Sequence, residues 1–206
     1  MSGLIELLVL NLYYLPAISG HIPKGIAKLS KLTSLSISLT SVSGPVPSFL
    51  GALTKLGVID PMDRGSLDLS VLLLSDNHLS GSIPAEFAAV GFLQVDLSHN
   101  ALTGDASVFF GRTKELQSID LSHDALSFDL SGVEFPEEMQ AMDASHNAIR
   151  CGIPAQVANV TNLRQFNVSY NKLCGPVPAA LARLDVYNFQ HNKCLCGAPL
   201  PNPCKK

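Results

Sequence analysis

An aspartate, a serine and a histidine occur together three times along the chain. The three stretches are VDLSHN at 95–100, IDLSHD at 119–124 and MDASHN at 142–147. These residue types could form a nucleophilic triad, in which the histidine must bond the serine and the aspartate at once. Side chains alternate along a strand, so Asp96 and Ser98 share one face while His99 leaves at the strand end. Three equivalent copies also argue against one tuned site, and we expect no triad.

Paired carboxylates for glycoside hydrolysis are a second possibility. On neighbouring strands ~4.8 Å apart, Asp96, Asp120 and Asp143 would approach the ~5 Å carboxylate separation of a retaining glycosidase. A broad sheet has no cleft to raise the pKa of one carboxyl, so these carboxylates are expected to stay solvated and mutually repelled. The chain is therefore not expected to be an enzyme.

Metal binding by histidines is a third possibility. Histidine recurs at the eighth position of the unit in His99, His123, His146 and His191. A row on consecutive strands is linear and lacks supporting hydrogen-bond partners, so we expect neither a metal site nor a cofactor.

The elements that position these residues follow from a repeat, L-x-x-L-x-L-x-x-N-x-L-x-G-x-I-P. Its copies begin at Leu7, Leu32, Leu69, Phe92, Leu116, Met139, Leu163 and Leu184, and the spacings from Phe92 onward are 24, 23, 24 and 21 residues. This is the period of leucine-rich repeats. It predicts an α/β solenoid, a right-handed curved superhelix with a parallel concave β-sheet and short second strands or 3-10 turns on the convex side.

Two further positions of the unit are expected to be structural. Asparagines at the ninth position can bond the backbone of adjacent turns, and they are Asn77, Asn100, Asn147, Asn171 and Asn192. Glycines before the Ile-Pro or Val-Pro element set the turn toward the convex side, and they are Gly20, Gly44, Gly81 and Gly175.

The pattern also predicts the division of the chain. Residues 1–183 are expected to hold the repeats and residues 184–206 a C-terminal cysteine cap. Between Leu56 and Leu69 only 13 residues stand in place of a 24-residue unit, so half a turn is expected to be deleted or rebuilt at 57–68. There Pro61 replaces a core leucine and Arg64 the asparagine. The N-terminus begins directly in a repeat without a cysteine pair, which predicts a missing cap and marginal stability.

Composition excludes several classes of protein. A chain of 206 residues that is 47% hydrophobic can bury one core. A net charge of -3 and the absence of Trp give no basic, aromatic surface for nucleic acid, and no apolar run is long enough to span a bilayer. Of five cysteines, three lie in the last thirteen residues, which favours a disulfide-stapled end in an oxidising compartment. The opening stretch lacks the basic region of a signal peptide.

Four segments together resemble the plant polygalacturonase-inhibiting proteins. Two repeats without the Ile-Pro element read GDASVFFG at 104–111 and FDLSGVEFP at 128–136, and the chain closes with NVSYNKLCGPVP at 167–178 and HNKCLCGAPLP at 191–201. They match the irregular repeats and the closing cap of that family in order and spacing. The resemblance runs from about Leu7 to Cys204.

The resemblance implies a secreted glycoprotein of plant defence in the cell wall or apoplast. Its partner would be a fungal endopolygalacturonase, which it binds and inhibits without catalysis of its own, and cell-wall pectin is a further candidate partner. The implied contact residues on the concave face are Gln94, Asp96, Ser98, His99, Gln117, Ser118, Asp120, Ser122, His123, Ala141, Asp143, Ser145, His146, Gln165, Asn167 and Tyr170. The alternatives are a non-inhibitory module, either a receptor-like fragment or a developmental relative, and a concave face that is merely solvated.

The resemblance also implies the pairs Cys174–Cys194 and Cys196–Cys204, which leaves Cys151 as a small buried residue or as a thiol for intermolecular pairing. The sequons at Asn159 and Asn167 predict glycosylation. Tyr13, Tyr14 and Tyr170 flank the concave columns as candidate aromatic anchors.

Overall fold

The computed structural model describes residues 6–53 and 70–204. Its strands are β1 (Val9–Gly20), β2 (Ser34–Pro45), β3 (Val71–Leu73), β4 (His78–Ser82), β5 (Gln94–Asp96), β6 (Ala101–Gly104), β7 (Ser118–Asp120), β8 (Ala125–Leu126), β9 (Ala141–Asp143), β10 (Arg150–Cys151), β11 (Gln165–Asn167), β12 (Lys172–Pro176) and β13 (Cys194–Cys196). The predicted repeat at 57–68, with Pro61 and Arg64, lies outside the described residues.

One strand from each of the first seven repeats forms the concave sheet. The parallel order is β1, β2, β3, β5, β7, β9 and β11, and the register aligns equivalent positions, as in the pairing of Asp96 with Asp120 and of Asp120 with Asp143. A second parallel row lies past the turn. There the far half of β2 pairs with β4, followed by β6 and β8, while β10 pairs with β12, which pairs with β13. The residue period of about 24 therefore becomes a regular stack of strands.

The remaining side of each turn is built from 3-10 helices. They span Lys24–Lys28, Ser48–Ala52, Ala85–Ala89, Ser107–Phe109, Leu130–Gly132, Ala155–Asn159 and Ala179–Leu181, whereas an eighth, Val186–Asn188, lies beside β11 at the strand position of the last repeat. Five of the eight begin directly after a proline, whose fixed φ suits entry into a helical turn. The prediction of a leucine-rich-repeat solenoid, with a curled parallel sheet and 3-10 turns on the other face, is confirmed.

The core lies between these faces. The alternating aliphatic residues of each strand are fully covered, as at Val95 and Leu97. In the two irregular repeats, buried Ala106 and Leu130 stand at the isoleucine position of the missing Ile-Pro element. Aromatic rings link these repeats to the next one: Phe110 packs edge-on against Phe135, which in turn packs against Phe166. Loss of the repeat motif at 104–111 and 128–136 therefore leaves the core continuous.

The ninth-position asparagines tie each turn to the turn before it. Asn100 donates from Nδ2 to the carbonyl oxygens of Leu74 (2.9 Å), Leu97 (2.9 Å) and Ser98 (3.1 Å), and its Oδ1 accepts from the Leu79 N–H at 2.9 Å. Equivalent sets hold Asn147, Asn171 and Asn192. The predicted structural role of these residues is confirmed.

Positive φ occurs at the turn glycines, including Gly44 (84°) and Gly81 (80°), as the repeat predicts. At the C-terminal end, disulfides join Cys174 to Cys194 and Cys196 to Cys204, which is the pairing that the resemblance implies. Over residues 6–53 and 70–204, no helix combines the length and the apolar character needed to cross a membrane.

Candidate functional site

The concave sheet places most of the predicted contact residues in four columns, one residue per repeat in each. The strand register aligns Gln94, Ser118, Ala141 and Gln165 in the first column. Gln117 lies one residue outside this column, beside Gln140, and Gln94, Gln117 and Gln165 are exposed. Next come the half-buried carboxylates of Asp96, Asp120 and Asp143, with Asn167 continuing the row. The structure therefore brings these candidates together on one polar surface.

The serine column differs from the expectation of a displayed surface. Ser98, Ser122 and Ser145 are only 5%, 6% and 4% exposed. The hydroxyl of Ser98 donates to Asp96 Oδ1 at 2.7 Å, and the Ser98 N–H bonds the same oxygen at 3.1 Å. The N–H groups of Ser122 and Ser145 bond Asp120 and Asp143 in the same way, both at 2.9 Å. Each serine therefore orients the carboxylate two residues earlier. Because the serine itself is buried, its side chain is not available to a partner.

The carboxylate column is only partly solvated. Asp143 accepts from the Ser145 N–H through Oδ1 and from Asn167 Nδ2 through Oδ2, at 2.9 and 2.8 Å. Burial raises the pKa of Asp120, hydrogen bonds from Ser122 oppose this, and the charges of Asp143 and Asp96 add to the rise. The expectation that this column is fully solvated is therefore wrong at Asp120, whose side chain is half-buried.

The eighth-position residues form a continuous stack. The rings of His99, His123, His146, Tyr170 and His191 lie face to face, with centroid separations of 4.3, 4.1, 4.1 and 4.1 Å. We call these five residues the stacked column. Each adopts a left-handed backbone with φ of 53–57°, which directs all five side chains the same way at the strand ends. The ring edges, not the ring faces, are available to a partner.

Burial lowers the pKa of His123, and the charges of His146 and His99 lower it further. The nearby carboxylates of Asp143 and Asp120 act in the opposite direction. The imidazole of His123 is therefore harder to protonate than an ordinary histidine, first because it is desolvated and then because its stacked neighbours compete for the same positive charge.

The geometry does not support the chemical alternatives. In the part of the chain that the structure describes, no hydrogen bond joins an imidazole of the stacked column to a serine or a carboxylate, so the triad contacts are absent. A metal would need convergent ligands, and among the described residues no group of three or more His, Cys, Asp or Glu has that arrangement.

The sequence pattern did not predict several features of the site. Tyr170 was expected to flank the columns, whereas it continues the histidine row between His146 and His191. Its place at the eighth position is the signal that could have shown this. Tyr13 and Tyr14 are 61% and 71% exposed on β1, away from the stacked column.

The structure also shows how accessible Cys151 and the two sequons are. Cys151 is exposed, so the expectation of a small buried residue is wrong. Cys151 ends β10 in the second row of strands, has a φ of 69° and exposes its side chain to solvent. Of the two sequons, Asn159 is exposed at the end of a 3-10 helix, whereas Asn167 is half-buried and hydrogen-bonded within the concave sheet.

Comparisons with known proteins agree with this architecture. The Leucine Rich Repeat family model matches residues 68–90 and 162–184. Polygalacturonase inhibitor 1 of Arabidopsis thaliana is 49% identical over 113 residues, which are 54% of this chain and 34% of the inhibitor. The match thus spans about a third of that relative's length.

Two similarities extend over nearly the whole chain. Leucine-rich repeat protein FLOR 1 of Arabidopsis thaliana is 36% identical over 238 aligned residues, covering 97% of this chain and 73% of FLOR 1. The crystal structure of a plant ice-binding protein superposes with a TM-score of 0.64 at 36% identity, covering 96% of this chain and 76% of that one. The chain belongs to the plant leucine-rich repeat proteins, non-enzymatic binding proteins that include FLOR 1 and the polygalacturonase inhibitors.

Proposed function

We propose that the chain binds and inhibits a fungal endopolygalacturonase in the plant cell wall, through the concave face between β5 and β11. The observation that carries the proposal is the 49% identity to polygalacturonase inhibitor 1 over 113 residues. An extended polar face with exposed glutamines, half-buried carboxylates and imidazole edges suits a protein partner, because complementary charge and shape over many side chains give specificity.

The extracellular location belongs to the same proposal. Two disulfides at the C-terminal end are stable in an oxidising compartment, and the sequon at Asn159 lies on an accessible turn. We propose Asn159 as a glycosylated residue on the convex side, where a glycan leaves the concave face free. Glycosylation at Asn167 would instead compete with binding. Pectin stays a further candidate partner.

The test measures the release of reducing ends from polygalacturonate by several purified fungal polygalacturonases, with and without the folded chain. The matched variants are Gln165→Arg on β11 and Ala158→Arg on the 3-10 helix of the same repeat, both at exposed positions. They add the same cation to opposite faces. Inhibition that is weakened by Gln165→Arg and unaffected by Ala158→Arg supports the proposal, whereas equal loss in both variants or no inhibition of any enzyme contradicts it.

A second candidate is a non-inhibitory module that binds another plant protein. It is favoured by the match to FLOR 1, which covers 97% of this chain, whereas the match to the inhibitor covers 54%. Under this proposal the folded chain slows no polygalacturonase, but captures a specific protein from a plant extract, and Gln165→Arg weakens the capture more than Ala158→Arg. The similarity to the ice-binding protein adds one assay, arrest of ice growth, which neither protein-binding proposal expects.

A further inference from the structure

From Asn77 to Asn192, the ladder of ninth-position asparagines is interrupted once, at Asp124. In the repeats on either side this position is Asn100 and Asn147. Both asparagines use Nδ2 to donate to backbone carbonyl oxygens of their own turn and of the preceding turn. Aspartate has no such donor when ionised, because a carboxylate only accepts hydrogen bonds.

The two carboxyl oxygens of Asp124 have different surroundings. Oδ1 replaces the amide oxygen of the ladder and accepts from the Leu102 N–H at 2.6 Å. Oδ2 is buried and has no hydrogen-bond partner. It replaces an amide nitrogen that, in the flanking repeats, points at carbonyl oxygens. An ionised carboxylate would therefore place a buried acceptor against other acceptors, which is costly.

We propose that Asp124 carries a proton in the folded chain, that its Oδ2–H supplies the donor of the missing amide, and that this residue consequently stabilises the solenoid more in acid than at neutral pH. The acid form resolves the conflict because a protonated carboxyl has one donor and can still accept through Oδ1. Asp124 thus acts as a pH-sensitive part of the ladder.

The charges around Asp124 agree with this. Burial raises the pKa of Asp124 to about 7, the bond from Leu102 acts against the rise, and the negative charge of Asp120 adds to it. The adjoining repeats contribute the titratable Asp96 and His99 on one side and Asp143 and His146 on the other, and His123 of the same repeat is held in the stacked column. The ladder positions of the two flanking repeats, Asn100 and Asn147, are neutral amides.

The direction of the effect follows from proton linkage. The ordinary pKa of this carboxyl is 3.8 and the folded value is raised to about 7, so between these values the folded chain keeps a proton that the unfolded chain has lost. Stability from this group is fully present below about pH 4 and is lost as the pH rises toward about 7.

The experiment compares denaturant unfolding from pH 4 to pH 8 for the unmodified chain, Asp124→Asn and the control Asp105→Asn, which changes an exposed carboxylate. Asp124→Asn restores the residue of the two flanking repeats and is expected to fold. Relative to this variant, the unfolding constant of the unmodified chain should rise by up to about tenfold per pH unit between about pH 4 and pH 7. Asp105→Asn should follow the unmodified chain, and a pH-independent ratio between the unmodified chain and Asp124→Asn would overturn the proposal.

The protonation state of the Asp124 carboxyl can also be measured directly, without unfolding the chain. Infrared difference spectra at pH 6 should show the carbonyl stretch of a protonated carboxylic acid in the unmodified chain that is missing from Asp124→Asn. A carboxylate signal alone at Asp124 would contradict the proposal, even if the stabilities differ.

Discussion

At the scale of single residues, each repeat contains side chains that support the fold and side chains that are exposed to a partner. Within VDLSHN, Val95 and Leu97 are buried in the core, Asn100 bonds the backbone of two turns, and Ser98 supports Asp96. Only Asp96 and His99 offer part of their side chains to a partner. Residue types that suggest a triad in the sequence therefore have separate structural tasks.

A ladder asparagine should be important for stability. Replacing Asn147 with alanine removes bonds to the carbonyl oxygens of Leu121 and Ser145 and the acceptor for the Leu126 N–H. Buried backbone groups left without partners should lower the free energy of unfolding by about 2–4 kcal/mol. Urea denaturation measures this, and the exposed control Asn162→Ala should change it by less than about 0.5 kcal/mol. An equally small effect at Asn147 would show that water replaces the ladder bonds.

Cys151 allows a test of backbone strain. It stands where regular repeats have glycine and keeps φ at 69°, a conformation that costs energy for a residue with a Cβ atom. Cys151→Gly should therefore have a higher denaturation midpoint than Cys151→Ala, since only the glycine variant relieves the backbone. Both variants remove the thiol, so a midpoint that is equal or lower for glycine would rule out strain at this position.

At the scale of elements, the parallel register brings one ring from each of five successive repeats together in the stacked column. Strand pairing places equivalent residues of successive repeats one strand spacing apart, and the shared left-handed φ at the eighth position brings their rings to 4.1–4.3 Å. Protonation of one imidazole is therefore coupled to that of the next.

This coupling predicts the titration of His123. Its pKa lies below that of an ordinary histidine, in part because His99 and His146 are close. In the double variant His99→Gln, His146→Gln, the pKa of His123 should rise partway, since desolvation, the largest cause, is retained. NMR titration of the imidazole measures the change, with His191→Gln, which does not contact His123, as the control. No change in the double variant would show that burial alone sets this pKa.

The sign for stability is the reverse of that at Asp124. Because the folded pKa of His123 is lowered, the unfolded chain takes up the proton first, and the stability from this group is lost as the pH falls through the ordinary range of histidine. The two groups therefore oppose each other between neutral and mildly acidic pH, and only the Asp124→Asn comparison isolates the carboxyl.

At the scale of the whole molecule, the concave face is a surface whose charge depends on pH. Protonation of all six histidines would change the formal charge of the chain from -3 to +3, and four of the six belong to the stacked column, beside the carboxylates of the same repeats. Acid therefore adds positive charge next to an anionic column, while the lowered pKa of His123 delays protonation at that position.

Affinity for a polygalacturonase should accordingly change severalfold between pH 7 and pH 5, and more strongly at low salt, because exposed charges are screened. Calorimetric titration at several pH values measures this. The triple variant His99→Gln, His123→Gln, His146→Gln should flatten the dependence. The same affinity at every pH would mean that the stacked column takes no part in binding.

The sequence alone determined the solenoid, its core and its ladder. These features depend on spacing within one repeat: alternation decides which side chains of a strand enter the core, and one asparagine per turn meets the backbone of the turn before it. The same local reasoning predicted the turn glycines at Gly44 and Gly81, whose positive φ the structure shows.

Only the tertiary structure decided which polar residues are accessible and how they interact. Burial of Ser98, exposure of Cys151, the ring stacking of His123 and the unpartnered oxygen of Asp124 all depend on distances between residues of different repeats. A repeat pattern identifies equivalent positions, but the register and curvature of the sheet set how closely those positions approach. For this reason, aspartate in place of asparagine at position 124 looks conservative in the sequence. In the fold, however, it replaces a neutral amide with a carboxyl group that can gain or lose a proton.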